Sequence, residues 1–344
     1  MDLKTSGQTY LENANQTHLC LLSNSSCSEK ITSYELYLFL YLCVAVLVVI
    51  TACGNLLVIV SVCHFKQFQT PTNFLILSLA FSDFLVGVFV MPFRFIMLIE
   101  SCWLFGAVFC VVFNLFVFHL TCVSVYNVSL IAVERYMALN NPFLYSLKAT
   151  VNVSLIAVSL TWAVSFFYNF VLLYVNGNFS DVNTCSGDCV VSIGDVSAFF
   201  DLVVVFILPC ATMMILYVKV FAIARKHAIA IRTNIKNKRK KDVQSSDSMT
   251  SERKAAKVLG ILVSVFLVCL VPYYICSLFL GIIKSKFYYS LTINMLALFY
   301  LNSTINPMIY ALFHPSFQKS MKLILTCKIF SKDSSIITVL SRTR

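Results

Sequence analysis

Seven long apolar runs separated by short polar segments organise the chain, at about 35–63, 72–98, 106–133, 151–175, 196–221, 255–283 and 287–313. Each is long enough to cross a bilayer as a helix, because about 20 apolar residues rising 1.5 Å apiece span the hydrocarbon core. Within hydrocarbon a helix satisfies its own backbone amides, so the runs read as helices. The pattern therefore predicts an all-α membrane protein, a seven-transmembrane helix bundle. Residues 1–33 form a polar segment that lacks the charged start, apolar middle and small-residue cleavage site of a signal peptide. The first run is expected to act as its own insertion signal, with the bundle over 34–313 and a cytoplasmic helix and tail over 314–344. In that last segment Phe317, Met321, Leu323 and Leu325 recur among basic and polar residues, the pattern of a short amphipathic helix lying in the interface. Cys327 follows it as a candidate palmitoylation site or a plain thiol.

Composition narrows the class: 59% of residues are hydrophobic and 12% charged, against roughly 25% charged in soluble domains. With a mean hydropathy of +0.84, a water-soluble fold is excluded. The net charge of +11 does not imply nucleic acid, since the basic residues sit in short segments between apolar runs. Their densest stretch, Arg225 to Lys257, must be cytoplasmic. An odd number of spans then puts the N-terminus outside, as expected of a multi-pass plasma-membrane protein. The sequons at Asn15, Asn24 and Asn178 fall on the exterior and are candidate glycan acceptors, whereas those at Asn127, Asn152 and Asn302 lie where no glycan could be attached. Cys20, Cys27, Cys110, Cys185 and Cys189 lie in the oxidising compartment, where disulfides are expected, although spacing leaves their connectivity open. Cysteines within the spans read as small hydrophobes. Serines and threonines at 245–251, with Ser334 and Ser335, are candidate phosphate acceptors or ordinary solvated residues.

Polar groups inside the spans carry the next step, because hydrocarbon disfavours them unless they face the bundle interior. Asn55 in span one, Asp83 in span two, and Asn302 and Asn306 in span seven could together ring a hydrated, sodium-type ion site; any one alone reads as an interhelical hydrogen bond. These residues belong to a larger ordered set: Gly54-Asn55, Asp83, Cys110, Glu134-Arg135-Tyr136, Trp162, Pro209, Tyr217, Phe266 with Cys269 and Pro272, and Asn306-Pro307-Met308-Ile309-Tyr310. On this combination the chain resembles a rhodopsin-like (class A) G-protein-coupled receptor along essentially its whole membrane region. The resemblance implies that Arg135 holds a resting state through neighbouring polar groups and meets the G protein when span six swings out. Tyr217 and Tyr310 are its expected active-state partners. Pro209, Pro272 and Pro307 each remove a helix hydrogen bond and are natural bending points.

Met91-Pro92-Phe93, the run Tyr300 to Pro307, and the cysteines Cys27, Cys185 and Cys189 are most similar to the olfactory trace amine-associated receptors. That resemblance implies bridges Cys110–Cys189 and Cys27–Cys185, leaving Cys20 unpaired or an alternative partner. It also implies a small amine ligand, a heterotrimeric G protein of stimulatory, cAMP-raising Gs or Golf type, arrestin and receptor kinases, and residence in olfactory sensory neurons. The chain departs from the family pattern at three places: Val117 stands at the usual amine-binding aspartate, Leu270 at the span-six tryptophan, and Glu134 at the commoner aspartate. Ala297 also replaces a frequent aromatic residue. Asp201, an acid within the fifth apolar run, resembles the fish-type members whose amine-binding aspartate lies on the fifth helix, and a charge in a span is a functional signal by default. Phe118, Thr121, Tyr273, Tyr274 and Tyr300 occupy positions that face the pocket in relatives, where aromatic walls can hold an ammonium by cation–π contact. For a diamine, Glu100 or Asp195 near the external mouth are candidates for the second acceptor, or solvated loop residues.

Other classes are weaker readings. A transporter would show internal repeats or paired broken helices, and neither is visible. A receptor for a non-amine small molecule or a peptide stays open. No nucleophile elbow, phosphate loop or metal-ligand spacing occurs, and the five histidines are scattered, so neither an enzyme nor a metal or cofactor is expected.

Overall fold

In the computed structural model, residues 33–100, 102–179, 189, 191–237, 243–283 and 286–330 are described. Seven helices among them are long and apolar enough to cross a membrane: Tyr34–His64, Pro71–Glu100, Ala107–Asn140, Val151–Val175, Asp195–Lys226, Val258–Leu280 and Asn294–Phe313. They are spans one to seven. Their order matches the seven apolar runs, although span three continues past the sequence estimate to Asn140.

Local chemistry sets several boundaries. Thr70 opens span two by accepting from the Asn73 amide at 3.3 Å, with Pro71 in the first turn, where its missing N–H is no loss. Thr150 caps span four in the same way. Asn141 caps a loop helix, Pro142–Lys148, which packs beside the cytoplasmic end of span three.

Two spans carry a widened π turn just ahead of a proline, at Val86–Val90 before Pro92 and at Leu202–Ile207 before Pro209. Proline lacks the amide and its ring crowds the carbonyl four residues back, so an extra residue in the preceding turn relieves both problems. In span five Leu208 donates to Val203 rather than to Val204, and the released Val204 carbonyl is taken by the Tyr126 hydroxyl of span three at 2.9 Å. The defect is thus stitched to a neighbouring span. Pro272 and Pro307 lie inside the helices of spans six and seven.

The bundle is inside-out relative to a soluble protein. Leu38, Phe167, Val218 and Leu312 are exposed on the outside, as lipid permits, while Asn55, Asp83, Asn127, Asn302 and Asn306 are buried between helices. Small residues allow close approach: a side chain on Gly54 would strike Pro307 of span seven, and one on Gly87 would strike Thr51 of span one. After span seven, helix Pro315–Leu325 turns along the bundle. Phe317 is fully buried against Phe68 and Tyr310, and Ser320 donates to Ser61 at 2.9 Å, while Leu325 is exposed. One face is docked, as the amphipathic pattern requires.

Candidate functional site

Three polar centres are stacked through the bundle. The middle one surrounds Asp83, which is fully buried and accepts from Ser303 and Asn306 of span seven, each at 2.7 Å. Asn55 donates to the Ser303 carbonyl at 2.9 Å, and Thr51 meets Thr304 at 2.6 Å. The side-chain carbonyl oxygens of Asn55, Asn302 and Asn306 are buried without partners. Spans two and seven are therefore tied through the Asp83 carboxylate, and span one joins them through the Ser303 carbonyl and Thr304, with side-chain oxygens to spare, a donor chemistry suited to a hard cation.

The cytoplasmic centre is a closed ion pair. Arg135 binds the Glu134 carboxylate through Nε and a terminal nitrogen, both at 2.5 Å, and also donates to the Thr72 hydroxyl at 2.5 Å. Thr72 and the Tyr145 hydroxyl both donate to Glu134. Burial, with the Glu134 carboxylate beside it, pushes the Tyr145 phenol up to about 12, so this donor keeps its proton at physiological pH. Tyr217 and Tyr310, expected as alternative partners of Arg135, have buried hydroxyls with no hydrogen bond. Tyr136 is not in this cluster; its ring lies under Lys219 at 5.7 Å. Phe266 is fully buried in the core, while Pro272 is half-buried one turn above it and more.

The extracellular centre is open by comparison. Asp201 ends the first segment of span five, directly before the π turn, and is half-buried. The Tyr168 hydroxyl of span four donates to it at 3.2 Å. Tyr274 stacks on Phe206 at 4.3 Å and meets Tyr273 edge-on, and Tyr273 neighbours Phe299, which in turn packs on Tyr300. Tyr300 is buried with an unpartnered hydroxyl. Phe118 and Thr121 are half-buried on span three, while Val117 and Leu270 are fully packed into the core and Ala297 is half-buried.

Above this centre Cys110 is bonded to Cys189, which anchors the external loop to span three, and Asn114 donates to the sulfur of Cys189 at 3.2 Å. Cys102 is also held in a disulfide, which the sequence reading did not assign. Cys20, Cys27 and Cys185 lie outside the described residues, as do Asn15 and Asn24. Asn178 is described: its side chain bridges to Ser192 and to Leu173, so it is at the surface but already hydrogen-bonded. Glu100 accepts from Tyr37 at 3.2 Å and from Tyr41, both on span one, and so is committed away from the centre. Asp195 is exposed in the first turn of its helix.

The sequence reading also passed over Thr72, Tyr145, Tyr168 and Arg94. Arg94 carried the available signal, since it is a cation inside a span, the criterion that singled out Asp201. The others are ordinary polar residues until folding sets them against a charge.

A family model described as the seven-transmembrane receptor, rhodopsin family, matches residues 54–310. Among curated proteins the chain is 36% identical over 322 residues to trace amine-associated receptor 13c of Danio rerio, covering 92% of this chain and 94% of that one. It is 36% identical over 324 residues to trace amine-associated receptor 1 of Macaca mulatta, covering 91% and 95%. It is 37% identical over 341 residues to trace amine-associated receptor 7a of Rattus norvegicus, covering 95% and 93%.

Proposed function

Because this chain belongs to the rhodopsin family of seven-transmembrane receptors, and within it to the trace amine-associated receptors, we propose that it senses a small amine odorant through Asp201. The observation that carries this reading is a carboxylate in the upper half of the bundle, bonded by the Tyr168 hydroxyl and on the same span as Phe206, which stacks on Tyr274, while the usual aspartate position on span three holds Val117. An ammonium entering there gains a charge-assisted bond to Asp201, with Tyr273 and Tyr274 as walls of the site. Losing one partner of such a desolvated pair costs about 3–5 kcal/mol. Asp201→Ala is therefore expected to lower amine potency by orders of magnitude in a cAMP reporter assay, and Asp201→Glu by less. A receptor with Asp201→Ala that reaches the surface and keeps its amine potency sinks the proposal. Val117→Asp serves as control and should broaden or redirect the amine range.

One observation favours a second reading: Tyr168 already donates to Asp201, as it would to a structural carboxylate. Tyr168→Phe separates the two. If Asp201 is the anchor, amine potency changes modestly and surface expression is kept; if its role is structural, expression falls with either substitution.

The signal is read out at Arg135. Ligand-biased packing of spans five to seven exchanges its bonds to Glu134 and Thr72 for contacts with Tyr217, Tyr310 and a heterotrimeric G protein of the stimulatory Gs or Golf type. Arrestin and receptor kinases would end the response. The unpartnered oxygens around Asp83 support a sodium-type site linking the two ends. An N-terminus outside the cell, the Cys27–Cys185 bridge, glycans at Asn15, Asn24 and Asn178, and expression in olfactory sensory neurons complete the reading.

A further inference from the structure

Spans one and two enclose a groove of about 500 Å³, walled by Leu40, Val44 and Leu47 on one side and Phe95, Leu98 and Ile99 on the other. Leu36 and Cys43, which also border it, are exposed on the outside of the bundle, so the groove opens toward lipid. From Tyr37 to Leu47 it follows ten residues of helix, about 15 Å of rise. That is half of a hydrocarbon core about 30 Å thick, the depth of one leaflet. At the headgroup end the lining includes Tyr37, whose hydroxyl donates to Glu100, the last residue of span two, at 3.2 Å. The exposed Tyr41 donates to the second oxygen of the same carboxylate. The two phenol rings lie 6.2 Å apart with their planes inclined by 38°. Tyrosines at a span end are common interfacial anchors; here both also turn to one acid on the neighbouring span, which anchoring does not require.

We propose that this groove binds a choline-headgroup phospholipid, with the quaternary ammonium on Glu100, Tyr37 and Tyr41 and one acyl chain lying between spans one and two. Three features select that occupant. A long apolar slot beneath a polar cluster at headgroup level matches the layout of a lipid. The phenols are neutral donors, so they bring ring faces to the carboxylate, and a carboxylate beside ring faces is the arrangement that holds a methylated ammonium. Both oxygens of Glu100 already accept a hydroxyl, which suits choline, a cation with no N–H to place, better than ethanolamine, whose ammonium must hydrogen-bond. An anionic headgroup meets the carboxylate as a like charge. The bound lipid would join span one to span two independently of any amine at Asp201.

The test uses the full-length receptor, stripped of lipid in detergent and offered equal amounts of dioleoyl phosphatidylcholine, phosphatidylethanolamine and phosphatidylglycerol, with bound lipid counted by native mass spectrometry. The choline adduct should exceed each of the others by about tenfold, the scale of a charge and cation–π contact. Glu100→Gln should bring choline and ethanolamine lipids to parity. Tyr41→Leu, which keeps the carboxylate and removes a ring, should lower the preference several-fold, and it decides the matter even if Glu100→Gln fails to fold. Val44→Trp should fill the groove and reduce retention of all three lipids. Equal retention of the three headgroups, or a choline preference that survives Tyr41→Leu and Glu100→Gln, overturns the proposal. Displacement of the lipid by millimolar choline chloride also overturns it, because the groove would then contribute nothing to binding.

Discussion

The two ends of the bundle treat buried charge in opposite ways. At the cytoplasmic end Glu134 and Arg135 are neighbours in sequence, bound to each other at 2.5 Å and enclosed by Thr72 and Tyr145. At the extracellular end Asp201 and Arg94 lie on different spans, each held among the described residues by a neutral neighbour, Tyr168 for one and the Phe113 ring for the other. A closed pair needs a competitor before it opens, which suits a switch. Open charges need a counter-ion, which suits a receiving site. The difference lies in where desolvation has been compensated: within the protein at one end, and by whatever binds at the other.

The comparison breaks most visibly if the closed pair is irrelevant to signalling. Arg135→Ala is expected to abolish or strongly impair cAMP production while leaving ligand binding largely intact; full signalling at normal surface expression would remove Arg135 from the mechanism. Next in size, Cys110→Ser or Cys189→Ser should reduce both surface delivery and ligand response, because the loop above the open end loses its tether to span three. Normal delivery and response of both single variants would rule out an essential bridge.

Smaller effects sharpen the picture. Tyr145→Phe removes one donor from Glu134, worth about 0.5–1.5 kcal/mol. Basal cAMP should rise by a few-fold without a change in amine potency, and a parallel change in potency would mean that the two ends are not separable. The smallest effect is expected at His314, which joins span seven to the docked helix. Burial holds its imidazole below the usual value, and Nδ1 is buried without a partner. Because the folded state disfavours the proton, stability is fully present above the unfolded pKa of about 6.5 and declines as pH falls below it. Thermal unfolding of purified receptor should show that decline, and His314→Phe should flatten it.

The fold was legible because each of its determinants is local. A run of apolar residues long enough to span hydrocarbon announces a helix, and the helix Pro315–Leu325 announced itself by period in the same way. The cytoplasmic pair was legible because its members are adjacent, Glu134 and Arg135, within a recognisable triplet. The extracellular centre was only half legible. Asp201 stood out as an acid among aliphatic residues, but nothing near it in sequence points to Tyr168, which lies 33 residues away on another span. Glu100 looked like a free acid at the mouth until span one supplied Tyr37 and Tyr41, some 60 residues earlier in the chain.

What the sequence by itself determined, then, is the number of spans, their order, and the identity of most charged groups within them, since hydropathy acts through composition along the chain. Only the tertiary structure decided which way those groups face. The π turn at Leu202–Ile207 shows why. One extra residue in a turn rotates everything above it by about 100°, so the direction of Asp201 follows from how Pro209 is accommodated and from Tyr126 accepting the task of binding the released Val204 carbonyl. A helical wheel drawn on residues 196–221 carries no trace of that rotation, because the hydrogen bond that stabilises it comes from span three.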